Sequence, residues 1–166
     1  SPTRISHRSF ATSRSEMRIS MEIIKGGVTA AKGFCAAGLN AGIKNNEKKD
    51  MAMVYSEKPC VTAGTFTTNK VFAAPVKWDK DIVANSPFAQ AVVVNSGVAN
   101  ACTGKEGDDA CAAEAKAVSE ALQVPESAVL VASTGVIGAQ LPMDKICAGI
   151  KELPKKLGSS LDHGTL

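Results

Sequence analysis

Aromatic residues, histidines and long apolar runs are all scarce in this sequence of 166 residues. Phe, Trp and Tyr make up only 4% of it, so a core must be built from Ala, Val, Ile and Leu. No apolar run approaches the roughly 20 residues that a membrane-spanning helix needs, so we expect no membrane segment. The phosphate-loop pattern GxxxxGK(S/T) and the dinucleotide pattern GxGxxG are both missing, so the sequence offers no basis for a nucleotide cofactor.

The reactive side chains exclude further kinds of site. The two histidines are His7 and His163, and no two of the five cysteines have CxxC spacing, so we predict neither a metal site nor a cofactor. An odd number of cysteines disfavours a disulfide framework and indicates a reducing compartment. A serine or cysteine triad needs a histidine base, and the body of the chain holds only His163. The formal charge of +3 is not gathered into a basic face, so no nucleic-acid partner is expected.

Residues 1–20 differ from the rest of the chain in composition. They are rich in serine and hold four arginines against one acidic residue, Glu16. This composition resembles an organellar transit peptide, and the alternative is an extraneous extension. We favour the extension, because Met21 opens directly onto the first organised segment. The sequence thus predicts a disordered leader over 1–20 and a body over 21–166. The expected location is the cytoplasm, or a mitochondrion or plastid if the leader is a transit peptide.

The body contains short apolar segments typical of strands. Residues 25–46 predict short strands joined by turns, and residues 44–50 predict a solvated hairpin loop. Further strands are predicted over residues 51–55, 61–69, 75–78, 89–95 and 128–132. The continuous apolar run at 89–95 indicates a strand that is covered on both faces.

Two later segments carry the spacing of amphipathic helices. Asp108 or Asp109 is expected to cap the first, and Pro142 is expected to start the second. The predicted apolar faces comprise Cys111, Ala115, Val118 and Leu122 in the first helix and Met143, Ile146, Ile150 and Leu153 in the second. Strands and helices alternate in this half of the chain, which favours a layered α/β fold over a helical bundle or an all-β sandwich.

The strand predicted at 128–132 runs into small residues suited to acyl-transfer chemistry. Such a reaction passes through a tetrahedral intermediate whose negatively charged oxygen needs hydrogen-bond donors. The N–H of Gly135 can approach that oxygen closely because no Cβ intervenes, and the Thr134 hydroxyl can donate a second bond. An ordinary glycine-containing turn between strand and helix explains the same residues, so both interpretations stay open at this point.

Two other segments are weaker candidates for binding. Residues 95–104 (NSGVANACTG) follow a buried strand, where ligands often bind in α/β folds, and their amides and hydroxyls could orient a polar substrate. The alternative is a loop whose Asn and Thr side chains satisfy their own backbone. Residues 64–70 place hydroxyls beside Lys70, which could bind a carboxylate. A half-buried strand that uses Thr for its β-propensity explains that segment too.

Seven short motifs, taken in their order, resemble the ornithine acetyltransferase (glutamate N-acetyltransferase) family of arginine biosynthesis. They lie at residues 26–30, 32–34, 65–69, 73–76, 94–97, 99–104 and 132–138, and read GGVTA, KGF, TFTTN, AAPV, VNSG, ANACTG and ASTGVIG. Each motif alone is short, but together they cover the chain from about residue 21 onward. The resemblance implies a layered α/β sandwich of this family's type, with helices packed on a mixed sheet.

The resemblance also implies an activity. Family members transfer an acetyl group from N2-acetylornithine to glutamate, and some use acetyl-CoA as a further donor substrate. A single precursor cleaves itself before a threonine, which becomes the N-terminal nucleophile of a β chain and forms an acetyl-enzyme. The family's oxyanion hole falls on Thr134 and Gly135. We therefore expect an N-acetyltransferase that acts on small molecules together with the β chain of its own precursor, in an α2β2 heterotetramer.

The family's cleavage motif and β chain lie outside this sequence. We expect the chain to be the N-terminal α-chain portion, either a fragment or one half of a split enzyme. The alternative function is a small-ligand-binding or inactive fragment without catalysis of its own, with residues 95–104 as the ligand-binding segment.

Overall fold

The chain forms a sheet flanked by helices, which a computed structural model describes over residues 26–86 and 88–165. The strands in these ranges are β1 (Phe34–Leu39), β2 (Met51–Val61), β3 (Phe88–Val98) and β4 (Val129–Val136). The α-helices are α1 (Ala74–Asn85), α2 (Gly104–Leu122) and α3 (Met143–Glu152), and none of them is long and apolar enough to cross a membrane. Short 3-10 turns lie at Val28–Ala30, Glu126–Ala128, Leu153–Lys156 and His163–Thr165. The predicted leader at 1–20 lies outside the described residues.

The sheet is mixed, and its strand order is β1-β2-β3-β4. The β1–β2 and β2–β3 pairs are antiparallel, whereas β3 and β4 run parallel. Parallel neighbours need a crossover connection, which α2 provides. The three helices pack on one core, where Met53, Val93 and Val131 align across the sheet and are all 0% exposed. The prediction of a layered α/β fold with helices packed on a mixed sheet is confirmed.

The two faces of the sheet differ in how well they are covered. In β3, Ala91 and Val93 face the helices and are 1% and 0% exposed. Val92 and Val94 lie on the opposite face and are only half-buried. Successive strand residues point to opposite faces, and within the described ranges the helices pack on one of them. The prediction that residues 89–95 are covered on both faces is therefore wrong for this part of the chain.

Helix α1 lies along the outer edge of β4. The indole Nε1 of Trp78 donates to the Val129 carbonyl at 3.0 Å, and the Val131 N–H donates to Asp79 Oδ1 at 2.9 Å. Burial raises the pKa of Asp79 to about 6, and the bond from Val131 partly offsets this rise. Two side chains of α1 thus satisfy backbone groups that an edge strand leaves unpaired.

Helix α1 also corrects one prediction. The segment expected to start a strand at Pro75 is the first turn of this helix. A proline fits there because the N–H that it lacks would have no partner within the helix.

The strand predicted over 61–69 is also wrong. β2 ends at Val61, and residues 62–73 have no regular secondary structure. The Asn69 N–H donates to Thr67 Oγ1 and the Val71 N–H donates to Asn69 Oδ1, each at 3.1 Å. Such local bonds give the backbone an alternative to a sheet ladder, and β-propensity alone does not overcome them.

Other predictions hold with shifted boundaries. The predicted faces of α2 and α3 are confirmed, since Cys111, Ala115, Val118, Ile146, Ile150 and Leu153 are all 1% exposed or less.

Helix α2 begins at Gly104 with Thr103 as its N-cap residue, rather than at Asp108 or Asp109. Asp108 instead pairs with Lys77 of α1 at 2.7 Å. Between residues 26 and 46 the chain forms one strand, β1, rather than several.

Candidate active site

The first two candidate segments meet at one edge of the sheet. β3 and β4 are parallel, so their carboxyl ends lie side by side, with Ser96 opposite Thr134 and Gly97 opposite Gly135. The pairing continues beyond the strands, since the Ala99 N–H donates to the Val136 carbonyl at 2.9 Å. Residues 95–104 and 132–138 therefore form one local structure, although 38 positions separate Gly97 from Gly135 in the sequence.

Thr134 and Gly135 belong to the last residues of β4, so the strand continues four residues beyond the predicted 128–132 and the bend toward α3 begins at Ile137. Thr134 is exposed on the face opposite the helices. Gly135 has φ of +135°, a conformation that L side chains rarely adopt. A Cβ on Gly135 would overlap the carbonyl group of Gly97 and come within 2.7 Å of the Val98 nitrogen. Glycine is needed here because two backbones approach each other closely.

The direction of the β4 backbone places a donor at this site. Backbone groups along a strand point alternately to its two sides, and those of Val129 and Val131 point outward to Trp78 and Asp79 of α1. Continued to residue 135, the same alternation predicts an N–H of Gly135 that points to the outer edge, away from β3. This N–H and the exposed Thr134 hydroxyl are donors from adjacent residues at the end of one strand.

Two polar residues of the 95–104 segment have structural roles. Asn100 is 0% exposed, and its Nδ2 donates to the Gly107 carbonyl at 3.0 Å. Its Oδ1 accepts from Thr103 Oγ1 at 2.7 Å. Both side chains therefore hold the start of α2, as expected for a loop that satisfies its own backbone. Ser96, opposite Thr134, is the hydroxyl of this segment nearest to the candidate donors in the strand register.

A buried polar pair lies directly behind these strand ends. Asn95 and Ser133 are register partners on the helix side of the sheet. Asn95 Nδ2 donates to the Val98 carbonyl at 3.0 Å, which restrains the end of β3. Asn95 Oδ1 and Ser133 Oγ have no hydrogen-bond partner among the described residues.

The third candidate segment, residues 64–70, does not begin at this edge. A Cβ on Gly64 would lie 3.5 Å from Val83 Cγ2, near the C-terminal end of α1. The loop after β3 contacts the opposite end of that helix, where the Ala74 N–H donates to the Asn100 carbonyl at 3.0 Å. The hydroxyls of residues 65–68 lie on irregular chain rather than on a strand.

Sequence reasoning missed two buried acids. Glu114 of α2 is 0% exposed, neither of its carboxylate oxygens has a hydrogen-bond partner among the described residues, and burial raises its pKa to about 8. Its position was detectable, because it lies at i+3 from Cys111, within the predicted apolar face. Asp50 is 2% exposed at the end of a segment predicted to be solvated. The sequence feature that could have revealed this acid is its position directly before a predicted buried strand.

The cysteines do not offer a nucleophile in the core. Cys111 is 1% exposed, and burial, with the nearby Glu114 and Asp79 carboxylates, raises its pKa to about 12. Burial also raises the pKa of Cys147. A thiol must ionise to attack, so the raised pKa makes Cys111 a poor nucleophile near neutral pH.

Comparison with known proteins decides the family. A model described as the ArgJ family matches residues 35–165. The chain belongs to the ArgJ family. The predicted resemblance to the ornithine acetyltransferases is thereby confirmed.

Curated ArgJ relatives match over most of this chain but only part of their own length. The arginine biosynthesis bifunctional protein ArgJ of Gloeobacter violaceus is 52% identical over 125 residues, covering 75% of this chain and 31% of that protein. The protein of the same name from Caldanaerobacter subterraneus subsp. tengcongensis is 50% identical over 150 residues, covering 88% and 37%. The chain therefore spans about a third of the length of these relatives.

Solved ArgJ structures share the fold. The ornithine acetyltransferase of Mycobacterium tuberculosis, solved in complex with ornithine, aligns with a TM-score of 0.81 at 43% identity, covering 84% of this chain and 75% of that one. The ArgJ protein of Bacillus halodurans aligns with a TM-score of 0.79 at 43% identity, covering 84% and 71%. At this identity the likeness supports a common family as well as a common fold.

Proposed function

We propose that this chain supplies the oxyanion-stabilising part of an N-acetyltransferase that moves an acetyl group from N2-acetylornithine to glutamate in arginine biosynthesis. The observation that carries the proposal is the end of β4, where Thr134 is exposed and Gly135 lies opposite Gly97, so that a hydroxyl and a backbone N–H lie on adjacent residues. The ArgJ relatives are bifunctional proteins of arginine biosynthesis, and the Mycobacterium tuberculosis protein was solved with ornithine. These names support the substrate class.

The proposed chemistry assigns one role to this chain. The N-terminal threonine of the β chain attacks the acetyl carbonyl carbon of N2-acetylornithine, its hydroxyl proton passes to its own α-amine and from there to the leaving nitrogen, and the carbonyl π electrons move to the carbonyl oxygen. Thr134 Oγ and the Gly135 N–H donate to that oxyanion. When the intermediate collapses, the carbon–nitrogen bond breaks, ornithine leaves with a proton on its nitrogen, and an acetyl-enzyme remains. The amine of glutamate then attacks the acetyl-enzyme through a second oxyanion at the same position. When this intermediate collapses, the bond between the acetyl carbon and the threonine oxygen breaks, and a proton from the glutamate amine passes through the α-amine to restore the threonine hydroxyl.

The exposure of the site supports the proposed partner. Thr134, Gly135, Val136 and Ile137 are all exposed, and Val136 and Ile137 are 62% and 67% exposed. An oxyanion site works best when water is excluded, so another chain segment must cover this edge during the reaction. We assign that role to the β chain of the same precursor, within an α2β2 heterotetramer in the cytoplasm. Acetyl-CoA is proposed as a second donor substrate, and no bound cofactor is required.

A hydroxyl series at position 134 tests the proposal. The chain is co-expressed with the portion by which a curated ArgJ relative extends beyond the match, and acetyl transfer from N2-acetylornithine to glutamate is measured. We expect Thr134→Ala to lower kcat by roughly ten- to a thousandfold, since one oxyanion donor is lost. Thr134→Ser keeps the hydroxyl and should recover most of the rate.

Ser127→Ala is the matched control. Ser127 is an exposed hydroxyl residue just before the opposite end of β4, so its loss should leave kcat unchanged. An inactive wild-type assembly, or a Thr134→Ala variant with wild-type kcat, would contradict the proposed function.

A further inference from the structure

We propose that residues 41–44 of the β1–β2 connection (residues 40–50), together with Asp50, form a positioning element for the oxyanion site, and that Ile43 is its positioning residue. This inference rests on the proposed function, because it concerns the same Gly135. The later part of the connection, residues 44–50, was predicted to be a solvated hairpin loop, and residues 45–49 are exposed whereas Asp50 is buried. The connection lies at the sheet edge that carries the ends of β3 and β4, since Met51 at its end is the register partner of Asn95.

Asp50 folds the connection back on itself. Its carboxylate accepts three backbone N–H bonds, from Ala41 at 2.6 Å, Ile43 at 2.7 Å and Lys44 at 3.0 Å. Its own carbonyl accepts the Ser96 N–H at 2.8 Å. One buried acid therefore fixes residues 41–44 and ties them to the end of β3. Charge-assisted bonds of this kind are stronger than neutral ones.

The folded connection contacts the end of β3 at Gly97. A Cβ on Gly97 would come within 2.9 Å of Ile43 Cγ2 and 3.2 Å of Lys44 Cγ. Ile43 is partly buried and packs against the core. Gly97 has φ of +124°, so its backbone also adopts a conformation that side chains disfavour. The Ile43 methyl group thus occupies the space that a side chain on Gly97 would need.

Gly97 in turn lies against Gly135 of β4. These two residues are register partners, and no Cβ fits between their backbones. Ile43 therefore contacts Gly97, and Gly97 contacts Gly135, in a continuous series of three close contacts. In close packing a displacement of one member of such a series is passed on to the next rather than absorbed. The Cγ2 methyl of Ile43 therefore determines where the Gly135 N–H lies.

Two substitutions at Ile43 separate positioning from general packing. Ile43→Val keeps the Cγ2 methyl and removes Cδ1, whereas Ile43→Ala removes both. We expect Ile43→Ala to lower kcat about tenfold with an unchanged KM for N2-acetylornithine, because the oxyanion is bound only in the transition state. Ile43→Val should keep kcat within about twofold of wild type.

Asn40→Ala is the matched control within the same connection. Asn40 is exposed, donates to the Asn46 carbonyl at 2.8 Å and accepts from the Gly42 N–H at 2.7 Å. Its removal loosens the outer side of the connection without touching Gly97. The kcat of this variant should match that of wild type.

Amide hydrogen exchange on the 166-residue chain gives a readout that does not depend on turnover. We expect the Ala99 amide, which donates to the Val136 carbonyl and ties the end of β3 to the end of β4, to exchange about tenfold faster in Ile43→Ala, and at the wild-type rate in Ile43→Val and Asn40→Ala. Unchanged exchange or unchanged kcat in Ile43→Ala overturns the inference, and so does an Ile43→Val variant as slow as Ile43→Ala. An inactive wild-type assembly overturns the proposed function, and this inference falls with it. An active assembly that responds to Thr134→Ala but not to Ile43→Ala overturns this inference alone.

Discussion

Replacing Glu114 with glutamine should remove a large part of the pH dependence of this chain's stability. The side chain is 0% exposed, and neither oxygen has a partner among the described residues. Burial raises its pKa from 4.5 to about 8, so the folded chain holds the carboxyl group protonated at neutral pH. The unfolded chain ionises the same group above about pH 4.5. Stability is therefore fully present below pH 4.5 and is lost progressively as pH rises through 8.

The size of the effect follows from the two pKa values. Each tenfold change in the ionisation constant corresponds to about 1.36 kcal/mol. The free energy of unfolding is therefore lower by roughly 5 kcal/mol above pH 8 than below pH 4.5, from this group alone. Between pH 5 and pH 7 the free energy of unfolding should fall by about 2.5 kcal/mol from this group alone. The nearby thiols of Cys111 and Cys147 have raised pKa values and stay neutral over that interval.

Urea unfolding of wild type and Glu114→Gln at pH 5 and pH 7 measures this difference. Glutamine has nearly the same shape and cannot ionise, so the variant should lose about 2.5 kcal/mol less than wild type between the two pH values. Glu120→Gln, an exposed position on the same helix, is the control and should follow wild type. If Glu114→Gln also followed wild type, the carboxylate would not be buried without a partner, and the reasoning would be refuted.

Two further substitutions test the packing around β4. Gly135→Ala should destabilise the chain by at least about 2 kcal/mol more than Gly138→Ala, because an added Cβ at 135 overlaps Gly97 whereas at 138 it meets nothing within 4 Å. Equal melting temperatures for the two variants would contradict the close approach. Asp79→Ala should cost about 1–3 kcal/mol in urea unfolding, since it leaves the Val131 N–H without its acceptor, and Asp79→Asn should recover most of that loss. A wild-type midpoint for Asp79→Ala would show that this bond does not contribute to stability.

The helical faces were predictable because their spacing is local. The 3.6-residue period of α2 and α3 selects the same side chains that the structure buries, such as Val118 and Ile150. The errors arose where local signals compete. Pro75 is compatible with a strand edge and with a first helical turn, and only its tertiary position beside β4 decides between them. Residues 62–69 have high β-propensity but no strand to pair with in the described ranges.

The candidate site was located by motif, but its geometry was not predictable. Thr134 and Gly135 were identified by family resemblance, whereas the reason for glycine at 135 depends on a backbone contact with residue 97. That contact requires the parallel β3–β4 register, which is long-range and leaves no periodic signal in the sequence. The hairpin loop at 44–50 was predicted and residues 45–49 are exposed, but the burial of Asp50 was not predicted, because its partners lie in the backbone of the folded connection and leave no periodic signal.

The position of α1 beside β4 bears on self-association. An edge strand with a long row of unpaired groups invites a second chain to add to the sheet, which is a route to aggregation. Trp78 and Asp79 form hydrogen bonds with the outward-facing backbone groups of Val129 and Val131. The backbone groups that remain available for pairing with another chain are therefore confined to the last part of β4. The helix thereby protects the β4 edge of the sheet from edge-to-edge association and still leaves the backbone at residue 135 accessible.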